Sequence, residues 1–239
     1  MDQIINTMID NPCFDQCPDR RNNSESNKWR RYPADILPMW VADMDCCVAP
    51  SIQKAIKDRV DHGVFGYGRP LPSLYESLCE RMETRYGWKI DTTWIKFTAG
   101  VIVGINQIID GVAEQGDSIL LQTPAYPPIL ETPSYRELGA NLSPLVVDQS
   151  GRYEIDFDLF EESITSSTRF FLFCNPHNPT GRVFTRAELE KIAEICLRHN
   201  LIILSDEIHQ DIVFSGHTHI PISSIDKEVE QRTVTFSAG

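Results

Sequence analysis

The sequence predicts an α/β fold organised around a parallel sheet, and three observations carry that reading. From about residue 90 onward, short apolar runs rich in β-branched and aromatic residues alternate with longer amphipathic stretches, the rhythm of successive βαβ units. Several of these runs, such as 169–174 (RFFLFC) and 201–205 (LIILS), are apolar on both faces, as strands covered on both sides are. The chain has 239 residues, 41% of them hydrophobic and 23% charged, which excludes a disordered, collagen-like or low-complexity segment and leaves ample material for a core. That length suits one large domain, or one domain with part of a second.

Residues 1–35 are polar, irregular and mixed in charge (CPDRRNNSESNKWRRY), the pattern of an arm that lies on something else. Residues 51–60 and 73–85 read as helices joined by the glycine-rich turn HGVFGYG. Strands are expected at 94–98 (WIKFT), 118–122 (SILLQ), 142–147 (LSPLVV), 169–174, 201–205 and 232–236 (RTVTF). Helical periodicity covers 101–114 and, more sharply, 185–199. There Thr185 can cap the N-terminus with Glu188 three residues on, and Leu189, Ile192, Ile195 and Cys196 share one face. No internal repeat and no flexible linker follows residue 35.

Lys and Arg number 22 against 34 Asp and Glu, a formal net charge of −12, which argues against a nucleic-acid groove or an anionic membrane surface as partner. A local positive seat for one small anion remains compatible with it. The stretch from Met1 to Asn11 is too polar for a signal peptide, and no apolar run approaches the roughly 18 residues that span a bilayer, so the expected compartment is the cytoplasm. Seven cysteines, at 13, 17, 46, 47, 79, 174 and 196, cannot all pair, and reduced thiols are expected. Cys13, Cys17, Cys46 and Cys47 make a poor zinc set, because the first pair is wider than CxxC and adjacent cysteines chelate badly; no metal ligand is assigned.

In a parallel sheet the strand C-termini lie along one edge, where ligands bind, so the segments after the strands belong together. Thr98-Ala99-Gly100-Val101-Ile102 opens a helix on a glycine, a phosphate seat or a plain turn. Thr123-Pro124-Ala125-Tyr126-Pro127-Pro128 is a stiff loop that offers a ring for stacking, or a tyrosine for the core. Asn175-Pro176-His177-Asn178-Pro179-Thr180-Gly181 holds an Asn amide rigidly, or forms an Asx-turn. Ser205-Asp206-Glu207-Ile208-His209 sets an acid at the end of a buried strand, costly unless it meets a cation or strong donors, or caps a helix. Together, a phosphate seat, a stacking ring, a rigid amide and a buried acid suit a flat, phosphorylated, cationic heterocycle such as pyridoxal phosphate.

Pro38-Met39-Trp40-Val41-Ala42-Asp43-Met44-Asp45, Phe65-Gly66-Tyr67-Gly68, Asn175 to Gly181 and Ser205 to His209 resemble, in order and spacing, the pyridoxal-phosphate-dependent carbon–sulfur lyases of the cystathionine β-lyase type. These belong to the class I/II aminotransferase superfamily of fold type I, and the similarity runs from about residue 33 to the last residue. It implies a three-layer α-β-α large domain with a mostly parallel sheet at 46–239, incomplete at its C-terminus. Residues 1–45 would be an N-terminal arm and part of the small domain, the rest of which is missing. It further implies that Asp206 pairs with the pyridinium nitrogen and that Asn178, helped by His209, donates to the phenolic oxygen. Tyr126 would stack on the ring, while Gly100, Val101 and Ile102 offer N–H groups to the phosphate. Tyr67 would reach the phosphate of a neighbouring subunit in a homodimer, and the Val41-Ala42 backbone would border an amino-acid substrate. The implied reaction is β-elimination from S-substituted L-cysteines, giving thiol, pyruvate and ammonia.

The sequence departs from that family in one decisive place. The Schiff-base lysine should follow 232–236 in a Ser-Lys pair, just beyond Gly239, and Lys227 reads instead as a solvated surface lysine. The closing part of the large domain, the small domain and its carboxylate-clamping arginine are also out of view, and Cys46 stands where an aromatic residue is common. Three alternatives follow: an aminotransferase on the same scaffold, a non-catalytic truncated product, and a nicotinamide-binding oxidoreductase, the last disfavoured because no GxGxxG follows a strand.

Overall fold

Two aspartates organise the polar N-terminal part of the chain. In the computed structural model, which describes residues 17–238, the chain divides into two units, Met1–Arg69 and Pro70–Gly239. In the first unit Arg20 reaches Asp43 at 2.6 Å and Asp45 at 3.0 Å, Lys28 reaches Asp45 at 2.7 Å, and the Trp29 indole donates to Asp45 at 2.6 Å. The hydrogen bond from Lys28, with those from Trp29 and Arg20, holds the Asp45 carboxyl down at about 2. The arm foreseen at 1–35 thus lies, over its described part, on the Trp40–Asp45 run; Cys13 falls outside the described residues. A short helix α1 (Asn27–Arg30) supplies Lys28 and Trp29. Helix α2 (Pro50–His62) follows, with Ile52, Ile56 and Val60 exposed along it.

The second unit carries the sheet. After α3 (Pro72–Tyr86), a 3-10 turn at Thr92–Trp94, capped by Asp91, occupies the start of the strand expected at 94–98. Ile95 is extended, but residues 95–98 pair with no strand among the described residues, so the expectation fails there. Their composition suits a strand; what they lack is a neighbour to accept their hydrogen bonds. Helix α4 (Val101–Val112) leads into β1 (Ser118–Thr123), α5 (Pro127–Glu131) and β2 (Gly139–Pro144). The strand expected at 142–147 is therefore displaced: the ladder begins at Gly139 and ends at Pro144. Leu145 N–H bonds back to the Thr123 carbonyl, and a separate hairpin forms from β3 (Val146–Val147) and β4 (Tyr153–Glu154). Helix α6 (Phe157–Glu162), β5 (Thr168–Cys174), α7 (Arg186–Arg198), β6 (Ile202–Asp206), α8 (Lys227–Arg232) and β7 (Thr233–Phe236) complete the unit. The Thr185–Glu188 capping box of α7 forms as its sequence predicts.

All five strands of the main sheet run parallel, in the order β2-β1-β5-β6-β7. The chain leaves β1 for β2 on one side and returns to β5 on the other, so the strand order reverses between the ends of β1 and β5, the place where open α/β sheets bind ligands. Both faces are covered. One, with Leu120, Phe171, Phe173 and Ile203, packs under α6, α7 and α8; the other, with Ile119, Leu121, Leu172 and Leu204, packs under α4. On the first face Phe171 meets Phe160 edge-on at 5.0 Å and stacks with Phe173 at 5.4 Å, and Phe173 meets Phe184 at 5.3 Å. Phe171→Ala should cost about 3–5 kcal/mol through the cavity it leaves, read as a lowered urea midpoint with an unchanged slope.

Candidate functional site

Register decides which side chains share the ligand edge. Cys174, Asp206 and Phe236 are aligned across β5, β6 and β7, and Cys174 and Phe236 belong to the apolar cluster beneath α4. Asp206 therefore lies on the α4 side of the sheet. The same side receives the first turn of α4: a Cβ on Gly104 would come within 3.1 Å of the Phe236 ring and of Thr98 Oγ1. Thr98 and the first turn of α4 thus lie close to the β7 residue that pairs with Asp206, although among the described residues no strand precedes them.

Gly100 starts α4 at φ 156° and ψ 161°, a backbone region open to glycine alone. The first intrahelical bond runs from Gly104 N–H to the Gly100 carbonyl, and no side chain caps the helix. The N–H groups of Val101 and Ile102 are left to point out of the helix end, an arrangement that favours an anion. Across the edge, Tyr126 stands at the N-cap of α5, 41% exposed; the alternative that it is a core tyrosine does not hold.

The two asparagines of the Asn175–Gly181 segment behave differently, and neither forms an Asx-turn among the described residues. Asn175 is fully buried and structural: its Oδ1 accepts from Phe184 N–H at 3.2 Å, and its own N–H donates to the Asp206 carbonyl at 3.0 Å. Burial pushes His177 down to about 4, so it is neutral, with Nδ1 2.9 Å from Thr180 Oγ1 and its ring against Phe184. Gly181, at φ 70°, donates to the His177 carbonyl and closes the turn. Asn178, half-buried, spends its amide on no partner among the described residues.

Asp206 is 4% exposed. Its Oδ1 accepts one backbone bond, from Ile208 N–H at 3.1 Å, and no cation forms an ion pair with it among the described residues. Burial raises its pKa; the Ile208 bond and nearby His209 act against the rise, and the Glu207 charge adds to it. Glu207 falls on the opposite side of the sheet, fully buried. Its Oε1 accepts from Ser205 Oγ at 2.9 Å and Ile222 N–H at 3.3 Å, and its Oε2 lies 2.8 Å from His219 Nε2. The apparent cluster of two acids and an imidazole is therefore split between faces. Burial holds the Cys174 thiol up at about 12, so it is no nucleophile. Lys227 is 83% exposed and paired with Glu230 at 2.9 Å, as its surface reading requires.

The Glu207–His219 pair was not foreseen, although period-two alternation from Asp206 puts its neighbour on the far face. Gln122 was missed too: it is buried, and neither amide atom has a partner among the described residues. Tyr67, Val41 and Ala42 belong to the first unit, where all three are exposed.

A parallel sheet with helices on both faces, an uncapped helix start beside β7 and a buried acid at the end of β6 is the architecture of an α/β enzyme class. Residues 40–238 match the family model for class I and II aminotransferases, and the chain belongs to that family. It is 36% identical over 230 residues to cystathionine beta-lyase PatB of Bacillus subtilis, covering 92% of this chain and 58% of that protein. Among solved structures, a PLP-bound protein of Clostridium difficile 630, provisionally titled an aminotransferase, is 40% identical with a TM-score of 0.89, covering 94% of this chain and 59% of that one. The PLP-bound C-S lyase of Staphylococcus hominis is 31% identical with a TM-score of 0.86, covering 94% and 58%. The chain thus spans under three-fifths of the length of these relatives, and its three-layer arrangement is theirs.

The raised pKa of Asp206 predicts a pH-dependent cost. Folding favours its neutral form, so its cost is absent below the ordinary carboxylate range, grows as pH rises from there towards the raised folded value, and is complete above it. Asp206→Asn, neutral throughout and still able to accept from Ile208 N–H, should make the ligand-free chain more stable near about pH 8 and leave it unchanged near about pH 3. Urea midpoints of both proteins across that range check this.

Proposed function

We propose that the edge formed by Gly100–Ile102, Tyr126, Asn178, Asp206 and His209 binds pyridoxal 5'-phosphate, and that the chain serves carbon–sulfur β-elimination from S-substituted L-cysteines, cystathionine among them. The observation that carries the reading is Asp206: a buried carboxylate with one backbone donor and, among the described residues, no cation fits a protonated heterocyclic nitrogen. The unspent amide of Asn178 and the uncapped helix end fit the other polar groups of the same ligand.

Bound there, the cofactor supplies an electron sink for a carbanion at the substrate's α-carbon. The work of this chain's residues is to hold it and to fix one proton. Asp206 keeps a proton on the ring nitrogen, Asn178 and His209 donate to the phenolic oxygen, and Tyr126 covers a ring face. Val101 and Ile102 N–H groups take the phosphate, and Val41 and Ala42 border the amino acid. Tyr67 would reach a neighbouring subunit's phosphate, which requires a homodimer, and we place that dimer in the cytoplasm. The base for the α-proton is not among these residues: no lysine follows Lys227, which is paired on the surface. Lyase is preferred to aminotransferase because the B. subtilis and S. hominis relatives carry that name and because His209 stands where the resemblance puts a tyrosine in aminotransferases.

The 239-residue chain should bind pyridoxal phosphate reversibly, seen by tryptophan quenching, and Asp206→Asn should weaken it by roughly thirtyfold or more, about 2 kcal/mol. Gly100→Ala should weaken it as well, by distorting the helix end. The chain alone should release no pyruvate from cystathionine above the blank. Extended by a relative's segment carrying the Ser-Lys pair, it should release pyruvate and thiol faster than it passes the amino group to an oxo acid. The reverse ranking would favour an aminotransferase.

A further inference from the structure

The turn that carries His209 is held from the face of the sheet opposite the ligand edge. Glu207 is saturated by three donors from three places: Ser205 on β6, Ile222 at the start of the 3-10 turn Ile222–Ser224, and His219. Its own N–H donates to the Phe236 carbonyl at 2.8 Å, and Ser223 Oγ lies 2.7 Å from Thr235 Oγ1, so the same knot ties β6 to β7. The His219 ring meets Tyr86 edge-on at 5.5 Å. Tyr86 donates to Asp211 Oδ1 at 3.0 Å, and Arg81 and Arg85 pair with the same carboxylate. Burial and the Asp211 bond raise Tyr86 to about 12, so it stays a donor. The segment 208–211 is thereby anchored before it by Glu207 and at its end by Asp211, with His209 half-buried between them.

We propose that Glu207 and His219 are positioning residues: their buried hydrogen bond fixes the turn that presents Asp206 and His209 to the ligand, without touching the ligand. The inference rests on the reading of that edge as a pyridoxal phosphate site. A buried carboxylate that takes three internal donors has few alternative arrangements, which makes it a rigid support and its partial loss costly; of the pair's polar side-chain atoms only His219 Nδ1 has no partner among the described residues. Asp206 cannot fix itself, having one backbone bond to its carboxylate and a ligand-facing side left open.

Hydrogen–deuterium exchange on the 239-residue chain tests this without any cofactor. Glu207→Gln and His219→Leu should speed exchange of the 205–212 segment by about tenfold or more while β1 and β5 keep their protection, and His219→Gln, which restores an N–H donor, should return it towards wild type. Unchanged exchange in both variants, or acceleration spread equally over all strands, overturns the proposal. Should Glu207→Gln fail to fold, the His219→Leu and His219→Gln pair decides alone. With pyridoxal phosphate added, Glu207→Gln and His219→Leu should also shift the visible band of the bound ring, which a loss of bulk stability would not move. Asp206→Asn is the separate control: wild-type affinity in that variant overturns the reading of the site, while the exchange data still decide the role of Glu207 and His219.

Discussion

A carboxylate buried at the end of β6, with no cation beside it among the described residues, is the constraint on which the rest of this proposed site depends. Taking Asp206 out of water disfavours its charge, and one bond from Ile208 N–H returns only part of what solvation supplied. A fold that needed only a stable strand end would place an apolar residue there, as β5 places Phe170, Phe171, Leu172 and Phe173 before Cys174. The cost is borne at the C-terminal edge of the sheet, on the side that receives the first turn of α4, where no side chain caps the helix. Two opposite electrostatic deficits on one edge have a common remedy in a ligand with an anionic end and a cationic end.

The neighbouring acid shows what a purely structural carboxylate looks like in the same environment. Glu207 is more buried than Asp206, yet every one of its bonds is internal, and His219 and Ser205 serve no other carboxylate. The two acids differ by one residue and hence by one face of the sheet. A similar division separates the two asparagines of the 175–181 segment: Asn175 is consumed by Phe184 and by the Asp206 backbone, whereas Asn178 is not consumed. In both pairs the proposed ligand residue has an open side chain and a near neighbour of the same chemistry whose bonds are all internal.

Much of this was legible in the chain. The strands at β1, β5, β6 and β7 and the helices α2, α3, α4 and α7 follow from apolar runs and capping residues, because those elements bury a face or a stripe that local sequence must provide. The ligand edge followed from parallel topology alone. The 95–98 stretch misled because pairing is a property of two segments, and the sequence of one says nothing about whether the other is at hand. The shift of β2 has the same origin: Gly139 pairs with Ser118 so closely that a Cβ there would stand 2.8 Å from Ser118 Cβ, a requirement for glycine visible only across the ladder. The Glu207–His219 pair joins residues separated by a turn, and no periodicity links them.

Rigidity at this edge comes from neutral or sequestered groups, and that follows from the chemistry it would serve. A charged His177 beside Asn178 would compete for any anionic or hydrogen-bonding ligand; burial against Phe184 keeps it neutral and spends its Nδ1 on Thr180. A reactive Cys174 thiolate next to Asp206 would be a nucleophile in the site, and burial together with the Asp206 charge keeps it protonated. The aromatic column from Phe160 through Phe171, Phe173 and Phe184 to His177 therefore does more than fill the core. It runs from the sheet to the loop that bears Asn178, and its last contact, Phe184 on His177, is part of the burial that keeps that imidazole neutral.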